Sequence, residues 1–199
     1  MSPFIETICL HNSRLVNLEY HQARLERTRE TVLGLKTHPV LEDEIFVPGG
    51  LERGIFKCRV TYGRKIQLVE YEPYVKPVIS SLKLVYSETI SYPFKSVDRS
   101  ALALLFQQRG GCDDILIVRQ ECLTDSFMAN VVLWDGSAWY TPDTPLLEGT
   151  MRASLLEQGT IVSRRIRVKE LDRFIKIRLI NALNPLEGGT DIPLSAVTR

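Results

Sequence analysis

Apolar and polar positions alternate along the N-terminal part of the chain, and the alternation predicts strands. Phe4 to Leu10 is predicted as a strand in which Phe4, Ile8 and Leu10 are apolar. Gly54 to Gly63 has the two-residue period of a half-buried strand, and Lys65 to Glu72 follows the Gly63-Arg64 turn as a return strand. Residues 18–35 carry a stripe at three- and four-residue spacing, which predicts one face of a long helix: Leu18, His21, Leu25, Thr28, Val32 and Leu35. This region is therefore predicted to combine strands with one helix.

Polar residues at the edges of these elements leave alternatives open. Asn17 stands where its side chain can cap the helix. Arg24 adjoins the helical stripe, and the pattern alone favours a cation whose charge reaches water. In the 54–63 strand, Lys57, Arg59 and Thr61 share one face. Two neighbouring cations repel each other unless they share an anion or face water, and a solvated face is the simpler interpretation.

Strands also dominate the C-terminal part of the chain. The pattern predicts strands at 82–86, 113–118, 130–134, 138–141, 161–168 and 176–183, and helices at about 97–109 and 150–158. Within 161–168, Val162 is predicted on the apolar face. Ser87 to Pro93 lacks periodicity and is predicted to link two lobes, residues 1–88 and 89–199. The order of elements predicts an α+β fold.

Composition excludes several classes of function. The 199 residues are 44% hydrophobic and 25% charged, with a net charge of +1. Proteins that bind nucleic acids or membrane surfaces usually have an excess of basic residues, so the near-balance of charge argues against both classes. Four separated cysteines and three histidines provide no zinc spacing, so no metal is expected. The N-terminus lacks the regions of a signal peptide, and no apolar run is long enough to span a membrane. A soluble, cytoplasmic protein is expected.

Residues 123–152 carry the main candidate chemistry. Asp125 precedes the 130–134 strand, and Gly149-Thr150 opens a helix whose N-terminus suits an anion. The chain has no GxGxxG, Walker A or GxSxG motif. A lysine, a carboxylate and an anion-binding turn are what pyridoxal phosphate requires of a protein. These residue types are too common to select that cofactor by themselves.

Seven short motifs, in order along nearly the whole chain, are more specific. They are F-I-E-T at 4–7, H-Q-A-R-L at 21–25, F-K-S-V-D-R at 94–99, L-T-D-S-F-M-A-N at 123–130, W-Y-T-P at 139–142, L-E-G-T-M-R at 147–152 and L-I-N-A-L at 179–183. With them the chain resembles the class IV aminotransferases, the fold-type IV pyridoxal-phosphate enzymes. That family includes branched-chain and D-amino acid aminotransferases and aminodeoxychorismate lyase. The resemblance implies the two-lobed α+β fold of the D-amino acid aminotransferase type.

The resemblance implies a role for each matching residue. Lys95 is the Schiff-base lysine and moves the substrate's Cα proton, and Asp125 faces the pyridine nitrogen, where the family usually has Glu. Arg24 and the backbone N–H groups of Thr150 and Met151 hold the phosphate. The remaining cofactor-binding positions are Asn130, Gly149, Ala182 and Leu183. Without the surrounding motifs, a surface lysine before a helix would be the favoured interpretation of Lys95, and Asp125 could simply start a turn.

The basic face of the 54–63 strand gains a second interpretation from the resemblance. In the family this strand faces the substrate, and a basic residue there holds a carboxylate. Relative to Gly63, Lys57 lies where relatives often carry such a residue. Lys57, and after it Arg59, are therefore the expected substrate-binding residues.

The implied function is transfer of an amino group between an amino acid and a 2-oxo acid through a Schiff base on Lys95. An aminodeoxychorismate lyase, which forms 4-aminobenzoate and pyruvate, starts from the same lysine. The third alternative is a degenerate member that binds the cofactor or a partner without catalysis. The expected partners are a small-molecule substrate and a second copy in a homodimer, with no nucleic acid and no membrane.

Overall fold

A sheet of four antiparallel strands and a long helix make up most of the first compact unit in a computed structural model that describes residues 2–199. The strand order is β2-β1-β3-β4. The bounds are β1 Phe4–His11, β2 Arg14–Leu15, α1 Leu18–Leu33, α2 Leu41–Glu44, β3 Ile55–Tyr62 and β4 Ile66–Pro73. The predicted hairpin and long helix are confirmed.

Helix α1 starts and ends differently from the prediction. Asn17 occupies the N-terminal cap position in a left-handed conformation, φ 55°, and its side chain makes no capping hydrogen bond. At the other end Gly34, φ 64°, donates its N–H to the carbonyl of Glu30 and ends the helix before Leu35. The buried face contains not only Leu25 but also Arg24, so the interpretation of Arg24 as a solvated residue is wrong.

Strand β3 has the two faces that its sequence predicts. Cys58, Val60 and Tyr62 are fully buried in an apolar cluster that includes Ile8 of β1 and Leu25 of α1. The opposite face carries Lys57, Arg59 and Thr61, which are half-buried. The charged groups of Lys57 and Arg59 on this face are therefore only partly exposed to water.

The second compact unit is built on a mixed sheet of nine strands within the described residues. Its main path runs β10-β9-β8-β7-β6-β5-β13, and β11 pairs with both β8 and β12. The bounds are β5 Leu82–Tyr86, α3 Ser100–Phe106, β6 Asp114–Arg119, β7 Cys122–Ser126, β8 Asn130–Trp134, β9 Trp139–Pro142, α4 Thr150–Glu157, β10 Ile161–Arg164, β11 Lys176–Ile180, β12 Ile192–Pro193 and β13 Val197–Thr198. Mixed sheets and separate helices make an α+β architecture, as predicted.

The units do not divide at the predicted lobe boundary. The first contains the chain up to Lys76 together with Phe94–Asp98, and the second contains Pro77–Pro93 and Arg99–Arg199. Ser87 to Pro93, predicted as the linker, therefore belongs to the second unit, where Ile90 is buried in an apolar cluster. Lys95 belongs to the first unit rather than to a C-terminal lobe.

Two further elements are shorter than predicted. The helix expected from about residue 97 begins at Ser100. The strand expected over 161–168 ends at Arg164, and Val162, predicted on the apolar face, is exposed. No helix of residues 2–199 has both the length and the apolar character that crossing a bilayer requires.

Candidate functional site

Glu6 of β1 is the centre of a buried charge cluster in the first unit. It is fully buried, and its carboxylate lies 2.6 Å from His21 Nδ1 and 2.5 Å from Arg24 Nη2. Arg24 Nε also donates to Glu6, at 3.1 Å. His21 and Arg24 are three residues apart on α1, so both project from the same helical face onto the strand. The fold thus holds the Arg24 side chain in one position through Glu6.

Burial and the neighbouring charged groups together set the protonation states of Glu6 and His21. Burial raises the pKa of Glu6, but Arg24 and His21 outweigh it and lower that pKa to about 2. The pKa of His21 is lowered, chiefly by burial, while Glu6 opposes the shift and the charges of Arg24 and Lys95 add to it. Glu6 is therefore an anion and His21 a neutral ring whose Nδ1–H donates to Glu6.

Lys95 is attached to β1 of the same unit by its main chain. The N–H of Ile5 donates to the Lys95 carbonyl at 2.9 Å, and Ser96 pairs with Phe4. The Lys95 side chain is half-buried, and its charge acts on His21. The first unit therefore brings Lys95 and the cluster of Glu6, His21 and Arg24 into electrostatic range of one another.

The basic residues of β3 have unequal surroundings. In the strand register Lys57 lies between Cys9 of β1 and Glu72 of β4, and its ammonium forms an ion pair with Glu72. Arg59 lies two residues further along, opposite Thr7 in the register. The positive charge of Lys57 is therefore already balanced within the sheet.

In the second unit Asp125 is a buried acid held on three sides. Asn130 Nδ2 donates to Asp125 Oδ1 at 2.7 Å, and the N–H groups of Leu146 and Leu147 donate to Oδ2 at 2.8 and 2.9 Å. The same Asn130 nitrogen donates to the Leu147 carbonyl at 2.9 Å. Asp125 and Asn130 are also register partners between β7 and β8. The carboxylate orientation is thus fixed by β8 and by the loop before α4.

Burial raises the pKa of Asp125 to about 6, although its three hydrogen bonds and the charge of Arg152 work in the opposite direction. The acid is therefore mostly ionised at neutral pH but gains a proton in mildly acidic solution. A nearby cation or protonated ring nitrogen would lower this pKa again.

Helix α4 begins at Thr150, with Gly149 at the cap position. Thr150 and Met151 are buried, and the Met151 side chain belongs to an apolar cluster, so only its backbone N–H is suited to an anion. Arg152 binds the end of β9 through Thr141 Oγ1 at 3.2 Å and the Pro142 carbonyl at 2.9 Å. The first turn of α4 is thereby held against the sheet of its own unit.

The turn after β11 uses some of its own backbone donors. Asn181 Oδ1 accepts hydrogen bonds from the N–H groups of Leu183, at 2.9 Å, and Asn184, at 3.0 Å. Leu183 is buried and Ala182 half-buried. A phosphate that used the Leu183 N–H would have to replace Asn181 as its acceptor.

A family model described as amino-transferase class IV matches residues 60–188. The chain belongs to this family. A Haemophilus influenzae protein named only as uncharacterized is 36% identical over 188 residues, which are 94% of this chain and 100% of that protein.

Solved structures agree with this class IV assignment. A Haemophilus somnus protein provisionally named 4-amino-4-deoxychorismate lyase has a TM-score of 0.88 at 36% identity, covering 94% of this chain and 98% of its own. A hypothetical Mycobacterium tuberculosis aminotransferase in its PLP-bound form has a TM-score of 0.76 at 17% identity, covering 96% and 80%, and shows the fold alone. The expected family and α+β fold are confirmed. The enzyme class and cofactor that the resemblance implies are those of this family.

Glu6 is the member of the charge cluster that the sequence reasoning missed. A signal existed, because alternation along β1 places this acid on the same face as Phe4 and Ile8, which are both buried. An acid on an apolar strand face requires a buried partner. Arg24 beside the buried stripe of α1 is such a partner.

Gly149→Ala is expected to lower the free energy of unfolding by about 1–3 kcal/mol in this class IV protein, because the added Cβ would overpack a filled space. An ideal Cβ there lies 2.0 Å from Asn130 Oδ1. Thermal and urea unfolding measure the loss. Gly111→Ala is the matched control, since nothing lies within 4 Å of its Cβ position. Equal stability of the two variants would contradict the packing argument.

Proposed function

We propose that the chain is a pyridoxal-phosphate enzyme that moves an amino group between an amino acid and a 2-oxo acid. The observation that carries the proposal is the class IV match over residues 60–188, which contain both Lys95 and Asp125. When bound, pyridoxal phosphate supplies an electron sink for negative charge on the substrate's Cα. Lys95 binds the cofactor and takes and returns the Cα proton.

The donor set of the chain fits that cofactor. Asp125 has three hydrogen bonds, which leave one of roughly four acceptor positions on its carboxylate for a ring N–H. A protonated ring nitrogen also offsets the burial that raises the pKa of Asp125. Asp125 therefore suits the task of keeping a proton on that nitrogen.

Phosphate binding is assigned to Arg24 and to the N-terminus of α4. Arg24 is a buried cation whose orientation is fixed by Glu6. The first-turn N–H groups of Thr150 and Met151 point out of the helix start, where the helix dipole favours an anion. Asn130 and Gly149 shape the cap, and the backbone at Ala182 and Leu183 remains the proposed second phosphate contact.

A 4-amino-4-deoxychorismate lyase is the second candidate. It is favoured by the 36% identical Haemophilus somnus protein, which carries that provisional name. The two candidates need the same Lys95 and Asp125, and they differ in whether an amino group is transferred or pyruvate is eliminated from the substrate. A degenerate protein that binds the cofactor without catalysis is the third. We also propose a homodimer and a cytoplasmic location.

The test is a substrate panel on protein reconstituted with pyridoxal phosphate. We expect a visible absorbance band that shifts when a D- or L-amino acid is added, with release of the matching 2-oxo acid. 4-Amino-4-deoxychorismate belongs in the panel, and formation of 4-aminobenzoate and pyruvate would select the lyase. A band that no compound shifts would select the non-catalytic alternative, and no band at all would reject all three.

A further inference from the structure

The charge cluster of Glu6, His21 and Arg24 is electrically neutral. Glu6 is ionised, Arg24 is a cation and His21 is a neutral ring. One carboxylate oxygen serves both neighbours, since Glu6 Oε2 lies 2.6 Å from His21 Nδ1 and 2.5 Å from Arg24 Nη2. The other oxygen, Oε1, accepts a hydrogen bond from Arg24 Nε at 3.1 Å. The positive charge of Arg24 is therefore already balanced before a phosphate binds.

This balance makes the proposed phosphate site incomplete in charge. A phosphate monoester carries a charge of about −1.5 to −2 near neutral pH. It would approach a buried ion pair whose carboxylate repels it, and buried charges are screened by salt much less than exposed ones. An anion at Arg24 therefore requires a further positive charge close to Glu6.

His21 is the side chain of the cluster that can supply this charge. Burial lowers its pKa, and the charges of Arg24 and Lys95 act in the same direction. The hydrogen bond to Glu6 and the charge of that carboxylate raise it. Because these influences oppose each other, a change in the nearby charges can alter the protonation state of the ring.

The charged groups that act on His21 come from three parts of the first unit. They are Glu6 on β1, Arg24 on α1 and Lys95 in the segment attached to β1. Tyr62 of β3 interacts with Glu6 and Arg24, but burial raises its pKa and its hydroxyl stays neutral. In the proposed enzyme, cofactor binding changes two of these surroundings, because Lys95 gives up its ammonium group and the phosphate brings negative charge to Arg24. Both changes favour a protonated His21.

We propose that His21 takes up a proton when an anionic phosphate binds to Arg24, which turns the neutral cluster into a positive one. This inference rests on the proposed function and adds a positioning residue to its phosphate site. The proton comes from water and adds to Nε2 of the ring, while the Nδ1–H continues to donate to Glu6. The imidazolium then balances Glu6, and the charge of Arg24 serves the phosphate.

Linkage sets the direction of the resulting pH dependence. An anion that raises the proton affinity of His21 is itself bound more tightly, by the same factor, when His21 is protonated. The pKa of His21 is lowered in the cofactor-free protein and is higher in the complex. The affinity for an anion of fixed charge therefore rises as the pH falls through the interval between these two pKa values.

The ring NMR signals of the three histidines test the proposal. Their pH titrations are compared in cofactor-free protein, in protein with pyridoxal 5′-phosphate, and in protein with pyridoxal, which has the same aldehyde but no phosphate. We expect the pKa of His21 to be higher with pyridoxal 5′-phosphate than with pyridoxal. His11, exposed at the end of β1, is the internal control, and its titration should be the same in all three samples.

A second measurement uses sulfate on the cofactor-free protein, because the charge of sulfate does not change near neutral pH. Lowering the pH from about 8 to about 6 should increase the sulfate affinity of the wild type about 3- to 10-fold more than that of His21→Gln. Glutamine can still donate an N–H to Glu6 but cannot gain a proton. His11→Gln is the matched control and should follow the wild type.

Three results would overturn the inference. They are a His21 titration that is the same with pyridoxal 5′-phosphate and with pyridoxal, a His21→Gln protein with the pH dependence of the wild type, and a wild type that binds no sulfate. If His21→Gln does not fold, the histidine signals of the wild type give the decision.

The outcome is separable from that of the proposed function. If pyridoxal 5′-phosphate yields no visible band, the proposed function fails, and the His21 signal of the cofactor-free protein with and without sulfate still decides whether an anion raises its pKa. If amino acids shift the band while the His21 titration does not respond to the phosphate group, the inference about His21 fails and the proposed function stands.

Discussion

Lys95→Ala is expected to lower the kcat of amino transfer by about 100- to 10,000-fold, because it removes the group that we propose moves the Cα proton. The fold should survive the change. The contacts that attach this segment to β1 are made by the main chain, through the Ile5 N–H to the Lys95 carbonyl and the Val97 N–H to the Pro3 carbonyl. Single-turnover absorbance with the best amino acid of the panel, together with the thermal midpoint, measures both points.

The control for Lys95 is Lys36→Ala, an exposed lysine of the same unit, which should retain the wild-type rate. Added methylamine should restore part of the rate of Lys95→Ala, because a free amine replaces the missing base. A structural role for Lys95 would not respond to methylamine. A Lys95→Ala protein with a kcat near that of the wild type would refute the assignment.

Local patterns in the sequence predict the strands and helices that bury one face and expose the other. Alternation located β3 and its polar face, since Cys58, Val60 and Tyr62 must enter one apolar cluster. The same reasoning failed at Val162, because β10 lies at the end of its sheet and pairs only with β9 there. A terminal strand has less need to bury every second side chain.

Local patterns cannot predict contacts between residues that are distant in sequence. The local pattern predicts a solvated Arg24, because its partner Glu6 lies 18 residues away, on another element. Phe94–Asp98 is a second example, since this segment belongs to the first compact unit and is attached to it by hydrogen bonds with β1. The resemblance to class IV aminotransferases, which depends on spaced motifs, identified the family where local periodicity could not.

Asp125 illustrates how a shorter acid can occupy a position where the family usually has Glu. Its carboxylate is held by Asn130 and by two backbone N–H groups of the loop before α4. These bonds fix the orientation of the carboxylate. Since the oxygens lie one methylene closer to β7, the geometry of the proposed ring contact depends on that loop. Gly149, at the end of the loop, matters for Asn130, because a Cβ there would lie 2.0 Å from Asn130 Oδ1.

Glu6→Gln is expected to lower the free energy of unfolding at pH 7 by about 3–5 kcal/mol, because it leaves Arg24 as an uncompensated buried charge. For a chain of this length that loss corresponds to roughly 6–20 °C in the thermal midpoint. Affinity for pyridoxal phosphate should fall as well, since Arg24 loses the partner that orients it. Glu70→Gln, an exposed acid of β4, is the control and should change stability by less than about 0.5 kcal/mol.

The contribution of the Glu6 carboxylate to the free energy of unfolding should decrease as the pH falls. Its pKa is lowered from 4.5 to about 2, so the native state favours the ionised form. The stability difference between wild type and Glu6→Gln should be constant above about pH 5 and should shrink as the pH falls toward 2. Adding Arg24→Met to Glu6→Gln should cost less than the sum of the single changes, because the unpaired cation is then removed. A difference that persists unchanged to pH 2, or additive losses, would show that Glu6 acts through packing rather than through its charge on Arg24.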